Sequence, residues 1–218
     1  ETGSVTSFES TSSEAGIVLF GTRSLLDNRG LISSPECIGS YLSGSFSEVV
    51  NTGSISGTTG IQLASGGDSS RLFNHGDILG SGMFDGTQDL YEGRGVFVQA
   101  GNAYLYNGAN GLIGSTAAAG TGIHFAGNSG GGQIENHGDI VALSGTGINL
   151  VEVNLGQAQI SVLNFGTISG QINSFFGSEN NDLLTNRGLM IGQVNTFFGD
   201  DVLDNRGGTI EGDVLLGF

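Results

Sequence analysis

The chain has 218 residues, of which 41 are glycine, one is proline and 37% are hydrophobic. This composition can build a core. It lacks the Gly-X-Y period of collagen and differs from the charged, apolar-poor composition of disordered chains. The formal net charge of −15 argues against binding to nucleic acid or to anionic membranes, because basic side chains must neutralise phosphate groups.

Three further features narrow the class of protein. Cys37 is the single cysteine, so an internal disulfide is impossible, which favours bacterial export over eukaryotic secretion. No apolar run approaches the roughly 20 residues of a membrane helix. Glu1-Thr2-Gly3 resembles the stub that remains after a vector-encoded secretion signal is cleaved, so we take residues 4–218 as one folded domain.

An internal repeat organises the chain. The tripeptide Asn-x-Gly begins at Asn28, Asn51, Asn74, Asn136, Asn164, Asn186 and Asn205. A distorted copy occupies residues 107–111, and the steps between consecutive copies range from 19 to 33 residues. Steps near 20 residues, with occasional extensions, suit a coil of three short strands and three turns.

The residues around each asparagine repeat as well. Two residues earlier stands an aliphatic residue: Leu26, Val49, Leu72, Leu105, Ile134, Val162, Leu184 and Leu203. About four residues later stands a second apolar residue: Ile32, Ile55, Ile78, Ile113, Ile140, Ile168, Met190 and Ile210. The motif Gly-[Ile/Val]-x-apolar begins at Gly16, Gly60, Gly95, Gly122 and Gly147. Alternation within such short segments predicts strands with one inward side chain at each β position.

These patterns predict an all-β protein, a parallel β-helix (β-solenoid) of about eight coils in a single domain. Asparagines stacked about 4.8 Å apart can bond amide to amide and form a ladder. We expect the asparagine to tolerate a left-handed turn and the following glycine to supply a positive φ. The residue between them varies from Arg29 to Phe165, which indicates an outward position.

The longest step, 33 residues from Asn74 to Asn107, contains an insertion at residues 81–94. Insertions in solenoids form loops, often on the binding face. We predict that the following residues, mostly of types favoured at interfaces, contact a partner: Met83, Phe84, Asp85, Leu90, Tyr91 and Arg94. The alternative is that the loop folds back and covers the solenoid flank. A second insertion is expected at residues 33–40.

The last third of the chain combines several motifs. They are Gly166-Thr-Ile-Ser-Gly-Gln-Ile, Phe175-Phe-Gly, Asp182-Leu-Leu-Thr-Asn-Arg-Gly and Phe197-Phe-Gly-Asp-Asp-Val-Leu-Asp-Asn-Arg-Gly. This region resembles the passenger domains of bacterial autotransporters, closely over residues 160–218 and loosely over residues 15–218. The resemblance implies a right-handed β-helix on the outer membrane, carried by a C-terminal β-barrel outside this sequence. Such passengers are mostly adhesins, toxins or immune-interaction surfaces.

Two acidic turns, residues 177–182 and 199–204, resemble degenerate copies of the nonapeptides in haemolysin-type calcium-binding repeats. Calcium takes about six to eight oxygen ligands. The resemblance implies four carboxylate ligands: Glu179, Asp182, Asp200 and Asp201. The step between the turns departs from the two nonapeptides per coil of that family. Solvated acidic turns are therefore the alternative, with Asp204 paired with Arg187 or Arg206.

Other chemistries have weaker patterns. His75 and His137 share a coil position but lie two coils apart, roughly 10 Å, so one zinc ion cannot bind both. Asp200-Asp201 is the only adjacent aspartate pair, and it lacks the motifs that accompany the carboxylates of β-helix polysaccharide hydrolases and lyases. Ser-His-Asp, Cys-His and phosphate-loop patterns are missing as well.

We therefore expect a non-enzymatic extracellular surface module, an adhesin or host-interaction passenger domain that contacts a host or cell-surface protein or glycan. It would lie at the bacterial cell surface or outer membrane, or be secreted, and would need no cofactor except calcium at the acidic turns. The alternatives are a β-helix that binds or cleaves polysaccharide and a calcium-stabilised structural repeat. Because a ninth coil begins at Gly212, we expect the native solenoid to continue past Phe218.

Overall fold

The computed structural model describes residues 7–9, 15–84 and 89–217, in which all regular elements are β-strands. These strands form one 16-stranded sheet, one eight-stranded sheet and one two-stranded hairpin. Strands from successive coils pair in parallel in both large sheets, with residues separated by about one repeat in register. The predicted parallel β-solenoid of about eight coils is confirmed.

The eight-stranded sheet takes one strand from each coil, and we call it the asparagine sheet because seven of its strands end at a ladder asparagine. Its strands are Leu25–Asn28, Glu48–Asn51, Arg71–Asn74, Tyr104–Asn107, Gln133–Asn136, Ser161–Asn164, Leu183–Asn186 and Val202–Asp204. Within each strand the burial alternates, so one side of this sheet faces the core and the other faces outward.

The 16-stranded sheet covers the other two faces of the solenoid, because the long strand Thr167–Phe176 pairs with strands on both. The second face contains Ser7–Glu9, Leu31–Ser34, Ser54–Gly57, Asp77–Gly80, Leu112–Ser115, Asp139–Ala142, Thr167–Phe176, Leu189–Asn195 and Thr209–Glu211. The third face contains Ala15–Leu19, Ile38–Leu42, Thr59–Leu63, Arg94–Val98, Thr121–Gly127, Thr146–Val153 and Val214–Leu215. The ends of Thr167–Phe176 and Leu189–Asn195 complete this third face.

The core consists of the inward side chains of all three faces, stacked coil upon coil. The predicted aliphatic columns are in register, with Leu105 between Leu72 and Ile134, for example. Most of these side chains are fully buried. The strand Ile38–Leu42 escapes the sequence motif because Ser40 takes the inward position between Ile17 and Ile61. The insertion expected at residues 33–40 is wrong, since only a three-residue turn separates two strands there.

The asparagine ladder runs through the interior as predicted and includes Asn107 from the distorted copy. Each Nδ2 donates to the Oδ1 of the next asparagine at 2.7 or 2.8 Å, in seven consecutive bonds from Asn28 to Asn205. Each of these donors also reaches a second-face carbonyl of the next coil, as Asn136 reaches Thr167 at 3.0 Å. The seven asparagines from Asn28 to Asn186 are at most 1% exposed, so these bonds satisfy amides that water cannot reach.

The expected reason for the glycine after each asparagine is wrong. Of the glycines in the Asn-x-Gly copies, only Gly207 has a positive φ, and the ladder asparagines have negative φ. A Cβ built on Gly53 would instead collide with the carbonyl oxygen of Gly30, and one on Gly76 would collide with that of Gly53. Glycine is therefore required because the turns of successive coils stack backbone against backbone.

Replacing Asn136 with alanine should lower the free energy of unfolding by about 2–4 kcal/mol. The change leaves the Oδ1 of Asn164 buried without its donor, and a buried unsatisfied polar group costs about 1–3 kcal/mol beside the lost bond itself. The urea midpoint followed by circular dichroism measures the effect. Asn110→Ala, at an exposed asparagine outside the ladder, is the control. Equal shifts for the two variants would contradict a special role for the ladder.

Candidate functional site

The insertion at residues 81–94 contains an antiparallel hairpin of the strands Met83–Phe84 and Asp89–Tyr91. Asp85 lies outside the described residues. Arg94 follows the hairpin as the first residue of a third-face strand, and its side chain turns onto the solenoid. Its guanidinium carbon lies 4.5 Å from the centre of the Phe97 ring, and Nη2 contacts Glu92 at 3.0 Å. Partner contact by the insertion remains a prediction.

Arg94 also buries a histidine that sequence reasoning left without a role. Arg94 Nε donates to His124 Nδ1 at 2.8 Å, and the His124 ring packs 5.3 Å from that of Phe97. Although His124 occupies an outward strand position, it is only 1% exposed. Its Nε2 lies 3.4 Å from Glu152 Oε2 without forming a hydrogen bond. Burial, aided by the charge of Arg94, lowers the pKa of His124 to about 3.

The acidic turns bring together two of the four predicted calcium ligands. Asp182 is buried, and its Oδ2 accepts bonds from the amide and the hydroxyl of Ser178 at 2.8 and 2.9 Å. Its own amide donates to Asp201 Oδ1 at 2.8 Å. Glu179 and Asp200 are exposed, and the described residues hold no group of three or more metal-ligating side chains. The predicted set of four carboxylates is therefore not assembled around one point.

The pair Asp182 and Asp201 leaves two polar atoms unexplained. Asp182 Oδ1 and Asp201 Oδ2 are both buried and have no hydrogen-bond partner. Burial raises the pKa of both carboxyl groups, and the charge of Asp201 raises the pKa of Asp182 further. A cation bound at these carboxylates would relieve that cost. Calcium fits this pair only if backbone carbonyls and water supply its remaining ligands, so calcium remains a prediction.

Asp204 is fully used within the fold, as the alternative interpretation of the acidic turns expected. Its Oδ2 contacts Arg187 at 2.6 Å and Arg206 at 2.7 Å. Hydrogen bonds from Arg206 and then from Arg187 hold the pKa of this carboxyl well below its usual range. Because the pair with Arg206 is exposed, it contributes little to stability.

A row of rings crosses the outer side of the asparagine sheet and the adjoining turn, and we call it the aromatic face. It consists of Phe73, His75, Tyr104, Tyr106, His137 and Phe165. Tyr106 is its centre, with ring centroids 5.7 Å from His75, 5.5 Å from His137 and 6.4 Å from Phe73. His137 stacks on Phe165 at 4.8 Å, and Phe73 packs edge-on against Tyr104 at 5.9 Å.

One carboxylate fixes the orientation of two of these rings, Tyr104 and His137. Tyr104 OH donates to Glu135 Oε2 at 3.0 Å, and His137 Nε2 lies 2.7 Å from Glu135 Oε1. The bond with His137 is the main reason that the pKa of Glu135 is lowered. One half-buried carboxylate therefore ties rings of two coils together.

A groove of about 1000 Å³ runs beside the aromatic face across five coils. Two rows of residues line it. One row is the outward residue that begins each asparagine-sheet strand: Leu25, Glu48, Arg71, Tyr104 and Gln133. The other row stands two residues earlier, at the corner between the third face and the asparagine sheet: Arg23, Phe46, Ser69, Asn102 and Gly131.

The corner row has an unusual backbone. Arg23, Phe46, Ser69 and Asn102 have φ between 53° and 60°, and Gly131 has φ 74°. Each of these amides donates to a carbonyl of the next coil, as Phe46 donates to Asp68 at 2.9 Å. The stack thus requires the left-handed conformation at this corner. Glycine or asparagine is the low-cost residue there, whereas arginine and phenylalanine cost roughly 1–2 kcal/mol each.

Sequence reasoning missed this surface. The sequence patterns give Tyr104 and Tyr106 no role, and they raise zinc binding as the one chemistry for His75 and His137. The available signal was the alignment of all copies on the ladder asparagine, which places Phe73 and Tyr106 in one outward column and His75 and His137 in another. Stacking at about 4.8 Å per coil then brings these rings together.

In comparisons with known proteins, no family model, curated protein or solved structure matches the chain. In the described residues, no helix is long and apolar enough to span a membrane.

Lowering the pH from 7 to 4 should destabilise the fold through His124. The folded-state pKa of about 3 lies below the ordinary 6.5, so the unfolded chain binds the proton first in this interval, and stability is lost as the pH falls. The free energy of unfolding should fall by up to about 1.4 kcal/mol for each pH unit that the pH is lowered. His124→Gln should flatten the dependence of melting temperature on pH. Parallel curves for the variant and the wild type would contradict this assignment.

Millimolar calcium should raise the melting temperature by several degrees over the value in excess EDTA. A ligand at a hundredfold excess over its dissociation constant stabilises the folded state by about 2.7 kcal/mol. Asp182→Asn should remove the response, whereas Asp213→Asn, at an exposed aspartate outside the pair, should preserve it. Identical melting curves of the wild type in calcium and in EDTA would exclude the calcium site.

Proposed function

We propose that the protein is a non-enzymatic extracellular surface module that binds a glycan chain along the aromatic face and its groove. The observation that carries this proposal is the row of touching rings from Phe73 to Phe165, aligned across four coils. These rings lie on an outer face, apart from the aliphatic core. Partly exposed aromatic residues in a row are typical of binding surfaces.

The chemistry of the surface favours a sugar chain over a peptide. The apolar faces of sugar rings stack on aromatic rings, and the hydroxyls of Ser69, Ser24 and Tyr104 and the amides of Asn102 and Gln133 can bond to sugar hydroxyls. One common way for an extended peptide to bind is to add a strand to a sheet edge. The groove lies on a sheet face, where the backbone groups already pair along the stack.

The groove also has less support as a site of polysaccharide cleavage. Glycoside hydrolysis requires two carboxyl groups on opposite sides of one glycosidic bond. Among the described residues that line the groove, Glu48 is the only carboxylate. Glu135 lies beyond the groove and is held by Tyr104 and His137. Binding without cleavage is therefore the better interpretation.

This function agrees with the expectation raised by the last third of the sequence. The passenger domain of an autotransporter displays its solenoid at the bacterial surface, and an adhesin would use a long face to hold glycans of a host or of neighbouring cells. A second proposal, calcium-stabilised stacking, has its own support in the unpartnered oxygens of Asp182 and Asp201. The two proposals concern different coils and do not compete.

Removing rings from the aromatic face should weaken glycan binding. We expect Phe73→Ala and Tyr106→Ala each to lower the affinity for a bound polysaccharide by about tenfold or more, which corresponds to about 1.4 kcal/mol of lost stacking. Phe20→Ala, at a ring that is 74% exposed on another part of the solenoid, is the matched control. The measurement is retardation in gels that contain one of a panel of soluble polysaccharides.

Two outcomes of that experiment would contradict the proposal. The wild type would migrate unchanged in every gel, or the three alanine variants would retain equal affinity for the polysaccharide that binds. Melting curves of each variant show whether the fold is preserved, since these rings lie outside the core.

A further inference from the structure

We infer that the groove is specific for an acidic saccharide chain, one that carries carboxylate or sulfate groups. This inference rests on the proposed function and adds the charge of the ligand. The juxtaposition that carries it is the presence of Arg23 and Arg71 in the groove beside the rings of Phe46 and Tyr104.

The two arginines differ from the other basic residues of the chain. The sequence has six arginines and no lysine. Four of the arginines are paired with carboxylates: Arg29 with Asp27, Arg94 with Glu92, and Arg187 and Arg206 with Asp204. Among the described residues, no ion pair involves Arg23 or Arg71, although the chain carries 21 acidic residues. Both Arg23 and Arg71 lie in the same groove.

The local charge of the groove is opposite to that of the whole protein. Its described lining contains Arg23, Arg71 and the single carboxylate Glu48, against a net charge of −15 for the chain. Glu48 stands beside Arg71 in register, yet the two side chains form no ion pair. With two positive charges and one negative charge, the groove attracts an anion. Guanidinium groups bind carboxylates and sulfates through paired hydrogen bonds.

The backbone provides an independent reason to assign Arg23 a role. The corner position requires a left-handed residue, and Gly131 shows that glycine can occupy it. Arginine occupies this position despite the strain, and its side chain is exposed at the groove. Arg71 lies two coils further along, so the cations are separated by roughly 10 Å along the stack. A chain with repeated negative charges, lying parallel to the stack axis, can contact both.

The test measures affinity by calorimetry for two uronate polymers, alginate and polygalacturonate, for heparin as a sulfated polymer, for neutral dextran and for poly-L-glutamate. The wild type should bind at least one of the three acidic saccharides about tenfold more tightly than dextran and poly-L-glutamate. The double variant Arg23→Gln/Arg71→Gln should lose that preference. Arg29→Gln/Arg206→Gln changes the net charge equally at arginines outside the groove, and should retain it.

Each other result has a definite meaning. Equal affinity for dextran and for the acidic polymers, unaffected by the Arg23/Arg71 change, would overturn the charge preference and leave glycan binding intact. Equal or tighter binding of poly-L-glutamate would identify an acidic peptide as the ligand and overturn the inference. An equal loss of affinity for the acidic saccharides in the two double variants would show that net charge alone sets the preference, and would overturn the inference. Absence of binding to any saccharide would overturn the proposed function as well.

Discussion

The amide ladder through the interior of the solenoid sets the register on which every other feature depends. Each Nδ2 is shared between the next asparagine and a second-face carbonyl of the next coil, so one side chain ties two faces together. A shift of one residue would turn this amide to the outer face, and a shift of two residues would place it in the aliphatic column without partners. The ladder therefore selects one register among many, in addition to the stability that its hydrogen bonds contribute.

The 33-residue coil obeys the same constraint: Asn74 still meets Asn107 at 2.8 Å, and the surplus residues leave the coil as a hairpin.

A fixed register turns outward residues into columns, and the columns determine the surface. Residues at one coil position lie about 4.8 Å apart, a distance at which like charges repel and rings attract. The column that precedes the asparagine reads Asp27, Val50, Phe73, Tyr106, Glu135, Leu163, Thr185 and Asp204, so no two carboxylates are adjacent. In this column the acidic residues are thus dispersed, whereas Phe73 and Tyr106 are neighbours. The same geometry that forms the core produces the aromatic face without further structure.

Much of this architecture could be predicted from the sequence, because the ladder asparagine and the aliphatic residues beside it have one environment in every coil. Ser40 shows where the pattern fails: the third face accepts a small polar residue between Ile17 and Ile61, so a motif defined by aliphatic residues misses the strand. The glycine of the turn was predicted at the correct position but for the wrong cause. Close backbone stacking and a positive φ both require glycine, so the sequence pattern does not distinguish them. His124 could not be placed, because its burial depends on Arg94, 30 residues earlier in the chain.

The candidate site was harder to predict because its residues share a corner rather than a motif. Arg23 and Phe46 stand two residues before an asparagine-sheet strand, and Asp200 stands in the same place on the last coil. One residue later, small side chains such as Ser47 and Ser70 are buried in the first coils, whereas Asp182 and Asp201 take this position at the other end. One corner thus changes from cationic and aromatic to anionic along the stack. An acidic chain would be held over the first coils and repelled from the last ones unless a cation neutralises the Asp182–Asp201 pair. The two proposed sites therefore lie along the same edge of the asparagine sheet, one over the first coils and one over the last coils.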